Sequence, residues 1–570
     1  MEQVIPMQID VSKTFKNASD KVLDFLVDSM FEFVDQEYLP SQSNFKPVDE
    51  LGGEVDVTSS IRGKIPDDFP EGVYIRNGPN PLFGGLKSTR SVFGRSSHVW
   101  VEGEGMLHAL YFSRDGDVSD GGWTVRYNNR QVETDTFKLE KQRNKPSFLP
   151  TFSGDSRAIL SAFLLNLLRF GKANKYLSNT NVFEHSGKFY SITENHIPQE
   201  IDIITLETLD NWDVSGAWNR PFTTHPKRAP GSEELVIFGV DAVKPYVEIG
   251  IISADGKELI HKVDLKPNKS IFFHELGVTE RYNIIMDFGV TFDINRLING
   301  GRFDVLVLIC RLLEYNHEGY ARIGVMPRYG DADSIRWFKV EPSCTSHIIN
   351  SFEDGEEVVV WGRKALDSVI PGPDKALNQF GWPPRKFKPT SPSKENDHDN
   401  ISPVDYENLF SHAYEWRLNM QSGEVSERYL TRKRFCMDFP MINGAFSGIR
   451  NRYGYAQVVD SAASSASGVL KYNGLAKLHF EEPADVSLVE THMFEENSFC
   501  TGASFVPKQR GLEEDDGWVI TFVHNEDTNI SQAYVIDTKK FFSEPIAKIT
   551  LPCRVPYGFH GAFMPISTPT

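Results

Sequence analysis

The chain has 570 residues, of which 40% are hydrophobic and 24% are charged, a composition typical of a large globular protein. Its formal net charge of −18 argues against nucleic acid as a partner, because nucleic-acid binders draw their affinity from clustered lysine and arginine. The five cysteines are scattered and include no Cys-x-x-Cys pair, so we expect reduced thiols and no disulfide framework.

The N-terminal residues carry no recognisable targeting segment. Residues 1–6 lack the basic stretch and the continuous apolar run of a secretory signal, and the early acids Glu2 and Asp10 disfavour a transit peptide. We therefore expect a cytosolic address rather than a plastid one. Residues 11–36 predict one amphipathic helix, since Val22, Leu26 and Phe33 belong to an apolar stripe. Residues 1–44 are interpreted as an N-terminal helical extension packed outside the main body.

From about residue 70 the pattern changes to short strand-like runs joined by glycine-containing turns. The clearest hairpin joins residues 246–252 to residues 259–263 through Asp255-Gly256, a pair that supplies the positive φ angles such turns need. The same pattern recurs at residues 112–116, 183–190, 352–355 and 416–423. Many short strands of this kind predict an all-β fold and favour a β-propeller, although the repeat is too weak to count blades.

Two apolar segments, residues 158–171 and 304–314, interrupt the strand pattern and look helical. Both are shorter than the roughly 20 residues that a bilayer span needs. Each is interpreted either as a buried cap over the propeller or as an exposed apolar patch that dips into a membrane. A third segment, residues 384–400, is polar and proline-rich and predicts a surface loop.

Four histidines lie in distinctive short segments, each at least 49 residues from the next: His225, His274, His347 and His560. This spacing is far too long for a local zinc motif of two histidines one helical turn apart. Only a fold that returns the chain repeatedly to one centre, as a propeller does, brings such residues together. A lone histidine in an apolar setting is more often a core residue than a ligand, so the spacing by itself leaves a metal site open.

The histidine segments, together with residues 72–81, 102–108 and 513–517, resemble the carotenoid cleavage dioxygenases, in particular the plant branch that cuts at the 9,10 and 9′,10′ double bonds. The resemblance extends in constant order from about Phe45 to the C-terminus. It implies a seven-bladed β-propeller over residues 45–570, with a helical cap over the iron-containing face and helical insertions near 155–173 and 293–316. It also implies that the four histidines bind one non-haem Fe(2+).

The same resemblance implies acidic partners that hold the second ring nitrogen of the ligand histidines. Glu194 and Asp438 match two such positions, but Gly502 stands where the family has a third acid. Glu495, Glu496 or water is expected to replace the missing carboxylate. Thr180 matches a family position whose methyl group approaches an open iron site, and an ordinary strand threonine explains it equally well.

The chemistry expected from this resemblance is oxygen-dependent alkene cleavage. Four neutral imidazoles leave two positions open on an octahedral iron, and iron is preferred to zinc because structural zinc sites usually include cysteines. We expect a dioxygenase that uses O2 as cosubstrate and cuts a conjugated C=C bond of a carotenoid or apocarotenoid into aldehyde or ketone products.

Two alternatives remain open. Relatives also cleave stilbene-type phenylpropanoid alkenes, and Gly502 raises the possibility of a catalytically weak carotenoid-binding protein. The expected partners are a lipophilic substrate and a membrane surface contacted by the apolar helices. The sequence leaves the oligomeric state, the exact substrate and the bond undetermined.

Overall fold

The computed structural model describes residues 11–114, 122–241, 244–271, 274–292, 309–311, 313–315, 320–365, 410–431, 435–481 and 488–566. The predicted surface loop at residues 384–400 lies outside them. Over the described residues the chain is mostly β-structure with few helices, as predicted. The helices are α1 (Val11–Met30), α2 (Asp135–Arg143), α3 (Ser156–Phe170) and α4 (Ser461–Ser467). None of the described helices combines the length and apolar character needed to cross a membrane.

The strands, numbered β1 to β37 along the described chain, form seven large antiparallel sheets and two small sheets of short strands, one with five strands and one with two. Sheet 1 contains β2 (Val55–Asp56), β4 (Gly72–Pro79), β7 (Gly105–Arg114), β8 (Trp123–Gln131) and β37 (Gly561–Pro565). Sheet 2 contains β10 (Asn181–His185), β11 (Lys188–Ile192), β12 (Gln199–Ile201) and β13 (Thr208–Asn211). Sheet 3 contains β14 (Lys227–Arg228), β15 (Leu235–Val240), β16 (Val247–Ile252) and β17 (Leu259–Asp264).

The remaining four large sheets follow in chain order. Sheet 4 contains β18 (Gly277–Val278), β19 (Tyr282–Asp287), β23 (Ala321–Pro327) and β24 (Arg336–Val340). Sheet 5 contains β25 (Ile348–Asp354), β26 (Glu357–Lys364), β27 (His412–Asn419) and β28 (Val425–Tyr429). Sheet 6 contains β29 (Met437–Met441), β30 (Tyr453–Val459), β31 (Tyr472–His479) and β32 (Leu488–Met493). Sheet 7 contains β3 (Ile61–Gly63), β33 (Ser498–Pro507), β34 (Gly517–Asn525), β35 (Ile530–Asp537) and β36 (Ala547–Thr550).

The two ends of the chain share sheets 1 and 7. The C-terminal strand β37 pairs antiparallel with β4, with Gly561 opposite Arg76. Strand β3, from the N-terminal part of the chain, pairs with β36, with Ile61 opposite Ile549. Buried side chains from both sheets form one core between them, including Tyr74, Trp518 and Phe522. The first and last parts of the chain are therefore joined both by strand pairing and by a common core.

One edge strand of each large sheet faces its counterparts in the neighbouring sheets. These seven edge strands, called the site strands, are β37, β10, β14, β18, β25, β29 and β33. Strand β37 lies beside β33 and β10, β18 lies beside β14 and β25, and β29 lies beside β25 and β33. Residues that precede the site strands are consequently brought together, however far apart they lie in the sequence.

A small sheet corrects two helix predictions. It contains β1 (Phe31–Asp35), β5 (Lys87–Ser91), β6 (Gly94–Ser97), β9 (Ser153–Asp155) and β21 (Ile309–Arg311). The N-terminal helix ends at Met30 instead of residue 36, because Phe31–Asp35 pairs with β5 and buries Phe31. The second predicted helix is wrong at residues 309–311, where β21 pairs with β9, and at residues 313–315, where β22 (Leu313–Tyr315) pairs with β20 (Val290–Phe292). Residues 293–308 lie outside the described chain, and the predicted helix near 155–173 is present as α3.

Candidate metal centre

The four predicted ligand histidines all lie at the entry to a site strand. His225 and His274 lie a few residues before β14 and β18, and His347 and His560 lie directly before β25 and β37. Their ligand-type ring nitrogens all lie within 4.8 Å of one another. The Nε2 atom of His274 lies 3.0 Å from that of His225 and 3.2 Å from that of His347. The structure therefore collects the four imidazoles at one point.

The geometry of this cluster fits a single metal ion. Metal–imidazole bonds of about 2.1 Å at right angles place neighbouring nitrogens about 3.0 Å apart, close to the separations seen here. The ring of His560 lies 4.4 Å from that of His225 between centroids, with an interplanar angle of 81°. Four nitrogen lone pairs this close repel one another unless a cation or protons lie between them. A set of four imidazoles suits a first-row transition metal.

Two carboxylates hold the outer nitrogens of two of these rings. The Nδ1 atom of His347 donates to Asp438 Oδ1 at 2.7 Å, and Nδ1 of His274 pairs with Glu194 Oε1. With its proton on Nδ1, each ring presents the unprotonated Nε2 to the centre, which is the form that a metal binds. The two acids singled out from the sequence thus contact the imidazoles, and their effect on metal binding remains a prediction.

Asp438 is held in place by more than the histidine. Its Oδ2 lies 2.9 Å from Arg363 Nη1, and its Oδ1 also accepts a hydrogen bond from the Phe439 backbone. Burial raises the pKa of Asp438, but Arg363 and His347 outweigh burial and hold that pKa well below its ordinary value. Arg363 was not predicted from the sequence, although an arginine two residues after the apolar run Val358–Trp361, in the same strand, is a detectable signal of a buried charge pair.

The histidines differ in their affinity for protons. Burial, with the neighbouring imidazoles, lowers the pKa of His225 and His560 well below the ordinary value, and burial also lowers that of His347. Burial lowers the pKa of His274 too, but Glu194 more than offsets burial and leaves that pKa raised. Three of the four rings are therefore neutral over a wide pH range, as metal ligands must be.

Thr180 lies directly before β10 and beside the fourth histidine. Its carbonyl accepts the backbone N–H of His560 at 3.2 Å. Its hydroxyl lies 3.0 Å from Asn179 Oδ1 and 3.0 Å from Thr193 Oγ1. Because these partners engage the hydroxyl, the methyl group is the part of the side chain left for another contact.

The space beside Gly502, where a third carboxylate was expected, is filled by the side chain of Arg76. Gly502 lies at an irregularity in β33 with a φ of +70°, and a Cβ there would lie 2.1 Å from Cγ of Arg76. Glu495 and Glu496 are exposed, with the Glu495 side chain 73% exposed beside Lys548, so the expectation that either replaces the third acid is wrong. Within the described part of the chain, no carboxylate forms an ion pair with His225 or His560.

A cavity of about 230 Å³ adjoins the cluster. It touches His225, His347 and His560 and runs along the site strands past Val278, Asn350 and Ser351. Lys227 and Glu275, which follow His225 and His274 in sequence, pair with each other in its wall. The cluster is thus reachable by small molecules from the side toward which the site strands run.

Comparison with known proteins relates the whole chain to one family. Residues 45–565 match the family model described as retinal pigment epithelial membrane protein. A carotenoid 9,10(9′,10′)-cleavage dioxygenase of Crocus sativus is 30% identical, over 91% of this chain and 88% of that protein. Carotenoid 9,10(9′,10′)-cleavage dioxygenase 1 of Arabidopsis thaliana is 29% identical, over 96% of this chain and 94% of that protein.

The fold is shared with solved structures. That of the Pseudomonas brassicacearum lignostilbene dioxygenase superposes with a TM-score of 0.73 at 22% identity, covering 93% of this chain and 100% of that one.

Proposed function

Since this chain belongs to the retinal pigment epithelial membrane protein family, we propose that it is a dioxygenase that cleaves a conjugated C=C bond of a carotenoid or apocarotenoid. The bond class is the 9,10 or 9′,10′ double bond, as in the names of its relatives, and the products are aldehydes or ketones. The observation that carries the proposal is the cluster of four imidazoles with carboxylates behind two of them.

The proposed cofactor is one Fe(2+) held by His225, His274, His347 and His560. When bound, ferrous iron supplies oxygen activation at the two coordination positions that four imidazoles leave open. Glu194 and Asp438 keep His274 and His347 in the tautomer that binds metal. Thr180, fixed through its hydroxyl, presents its methyl group beside His560 and restricts the access of water.

The proposed architecture is a seven-bladed β-propeller in which sheets 1 to 7 are the blades. Two observations support it. Neighbouring site strands lie beside one another, with β10 and β14 linked by the Arg228–Glu184 ion pair. In addition, both chain ends contribute to sheets 1 and 7. In this arrangement the site strands surround the axis, and the histidines lie where those strands begin. The small sheet and α3 form part of the cap, and residues 45–570 form one domain.

The proposed route of an apolar substrate begins at a membrane surface. Helices α1 and α3 pack against each other and expose apolar side chains, including Phe25 (71% exposed) and Leu168 (65% exposed). Val22, Leu26 and Leu164 extend this surface, which we call the apolar face. Contiguous exposed apolar area of this kind suits contact with lipid, from which a carotenoid must be collected. The cytosolic address remains a prediction.

The test of the proposed activity is product identification. Purified protein loaded with ferrous iron is incubated with carotenoids, apocarotenals and resveratrol under labelled dioxygen, and products are identified by mass. Carbonyl products that carry one labelled atom on each fragment support the proposal. Cleavage of resveratrol alone would replace the carotenoid with a stilbene substrate, and a metal-free protein that retains pigment without cutting it would contradict the enzyme assignment.

The test of the ligand set is substitution of each histidine. Changing any one of His225, His274, His347 or His560 to alanine is expected to abolish cleavage and lower the iron content. His185→Ala is the control, because His185 is also buried, but its ring bonds the Ser253 carbonyl and it lies at the end of β10 away from the cluster. A ligand-site variant with full iron content and normal turnover would remove that histidine from the proposed site.

A further inference from the structure

Arg76 is a buried cation without a counter-ion near the candidate metal centre. It lies in β4 with 1% of its surface exposed, and it forms no ion pair with a described carboxylate. Its Nη2 donates to the carbonyl of Pro556 at 2.5 Å, while its Nε has no partner among the described residues. Burial lowers the pKa of Arg76 to about 10. Burying an unneutralised guanidinium is costly, so this placement calls for a role.

Three glycines from three parts of the chain form the slot that Arg76 fills. A Cβ at Gly78 would lie 2.1 Å from its Nη1, and a Cβ at Gly558 would lie 2.0 Å from the same atom. A Cβ at Gly502 would lie 2.1 Å from its Cγ. The side chain is therefore confined along its whole length, and Gly502 contributes space rather than a carboxylate.

The slot is continuous with the segment that carries the fourth histidine. Residues 556–559 lead directly to His560, and Arg76 holds the first of their carbonyls. Gly558 N–H donates to Thr501 Oγ1 at 2.9 Å, and Phe559 N–H donates to the Asn77 carbonyl at 2.9 Å. Arg76 makes a charge-assisted bond to the backbone of this segment, and such bonds are stronger than those between neutral groups. A second charge-assisted bond, from the Tyr557 hydroxyl to Glu526, holds a side chain of the segment.

We propose that Arg76 is a positioning residue for His560. It clamps residues 556–559 so that His560 presents its imidazole to the centre, a function that Glu194 and Asp438 perform for His274 and His347 through the ring nitrogens. This inference rests on the proposed metal centre. It explains how the site dispenses with a third carboxylate, because the fourth histidine is held through its backbone instead.

The test compares two arginines in similar surroundings. Arg76→Met removes the guanidinium and keeps an unbranched side chain. Arg328→Met is the matched control, because Arg328 is also buried, has its pKa lowered to about 10 by burial, and donates Nη2 to a backbone carbonyl, that of Thr279. Cobalt(II) serves as the spectroscopic metal. Its affinity is measured by chelator competition, and the stability of the metal-free protein is measured by urea unfolding.

The expected result is a difference in metal affinity between variants of comparable stability. R76M should bind cobalt about tenfold or more weakly, the range typical for loss of a group that orients a ligand, and R328M should retain wild-type affinity. In a His560→Ala background, R76M should weaken cobalt binding no further, because His560, the residue that Arg76 positions, is already absent. A general structural effect would persist in that background.

Several outcomes would overturn the proposal. Wild-type cobalt affinity in R76M, or an equal loss in R76M and R328M, would make Arg76 a packing residue only. If R76M does not fold, Arg76→Lys replaces it, and the same cobalt affinities support or overturn the proposal. A lysine keeps the charge but loses the planar fork of donors. If the wild-type protein binds no stoichiometric cobalt, or H560A binds it as tightly as wild type, the proposed metal centre itself fails.

Discussion

Replacing Asp438 by asparagine should weaken both metal binding and folding, whereas replacing Glu194 by glutamine should weaken metal binding more selectively. Asp438 bonds His347 and also neutralises Arg363, whose side chain is only 3% exposed. Glu194 bonds His274 and the Thr224 hydroxyl, and it forms no recorded ion pair with an arginine or lysine of the described chain. The two substitutions thus remove the same contact to a histidine in different electrostatic settings.

The magnitudes follow from these contacts. Loss of a carboxylate behind a metal-bound histidine typically lowers metal affinity about 10- to 100-fold, and we expect this from both variants. Breaking a buried ion pair leaves an uncompensated charge and costs about 3–5 kcal/mol, which applies to D438N because Arg363 remains buried. Loss of a hydrogen bond to a charged group costs about 1.5–3 kcal/mol, which sets the expectation for E194Q.

The assay separates the two effects. Metal affinity is measured by chelator competition, and the free energy of unfolding of the metal-free protein is measured by urea titration at pH 7. The folded pKa of Asp438 is depressed, so its stabilisation is present above the unfolded value of 3.8 and is lost as the pH falls through the folded value. The stability deficit of D438N should therefore shrink below about pH 3.8. Equal stability losses in the two variants, or wild-type metal affinity in D438N, would refute this reasoning.

Three further predictions concern the apolar face, the glycine slot and a buried histidine outside the site. Leu164→Glu should reduce liposome binding and slow the cleavage of long carotenoids, whereas Leu209→Glu, at an exposed position of sheet 2, should change neither. Both Gly502→Ala and Gly502→Glu should lower the urea midpoint and the cobalt affinity, because position 502 has a left-handed backbone and no room beside Arg76. Higher turnover in the glutamate variant would contradict this prediction. Burial lowers the pKa of His524 to about 4, so protonation should favour the unfolded chain as the pH falls from about 6.5 to 4. The urea midpoint should therefore fall over that range, and it should fall less in His524→Gln.

Much of the fold class and the identity of the candidate ligands were readable from the sequence. Strand-like runs separated by glycine turns predict an all-β chain, because hydrophobic alternation and positive-φ positions are local properties. The histidine segments and the acids Glu194 and Asp438 were recognisable because their neighbours match family motifs in constant order. The structure places these six side chains in one cluster with the contacts described above.

Only the tertiary structure decided which side chain occupies the space beside Gly502 and how the fourth histidine is held. Arg76 lies more than 400 residues from Gly502 in the chain, as does the Tyr74 hydroxyl that bonds the Gly502 carbonyl, so no local pattern predicts their meeting. Residues 31–35 and 309–311 became strands for the same reason, since their partners β5 and β9 are distant in sequence. Local sequence sets the preference of a segment, but the hydrogen bonds and buried charges that override it come from residues that meet only in the folded chain.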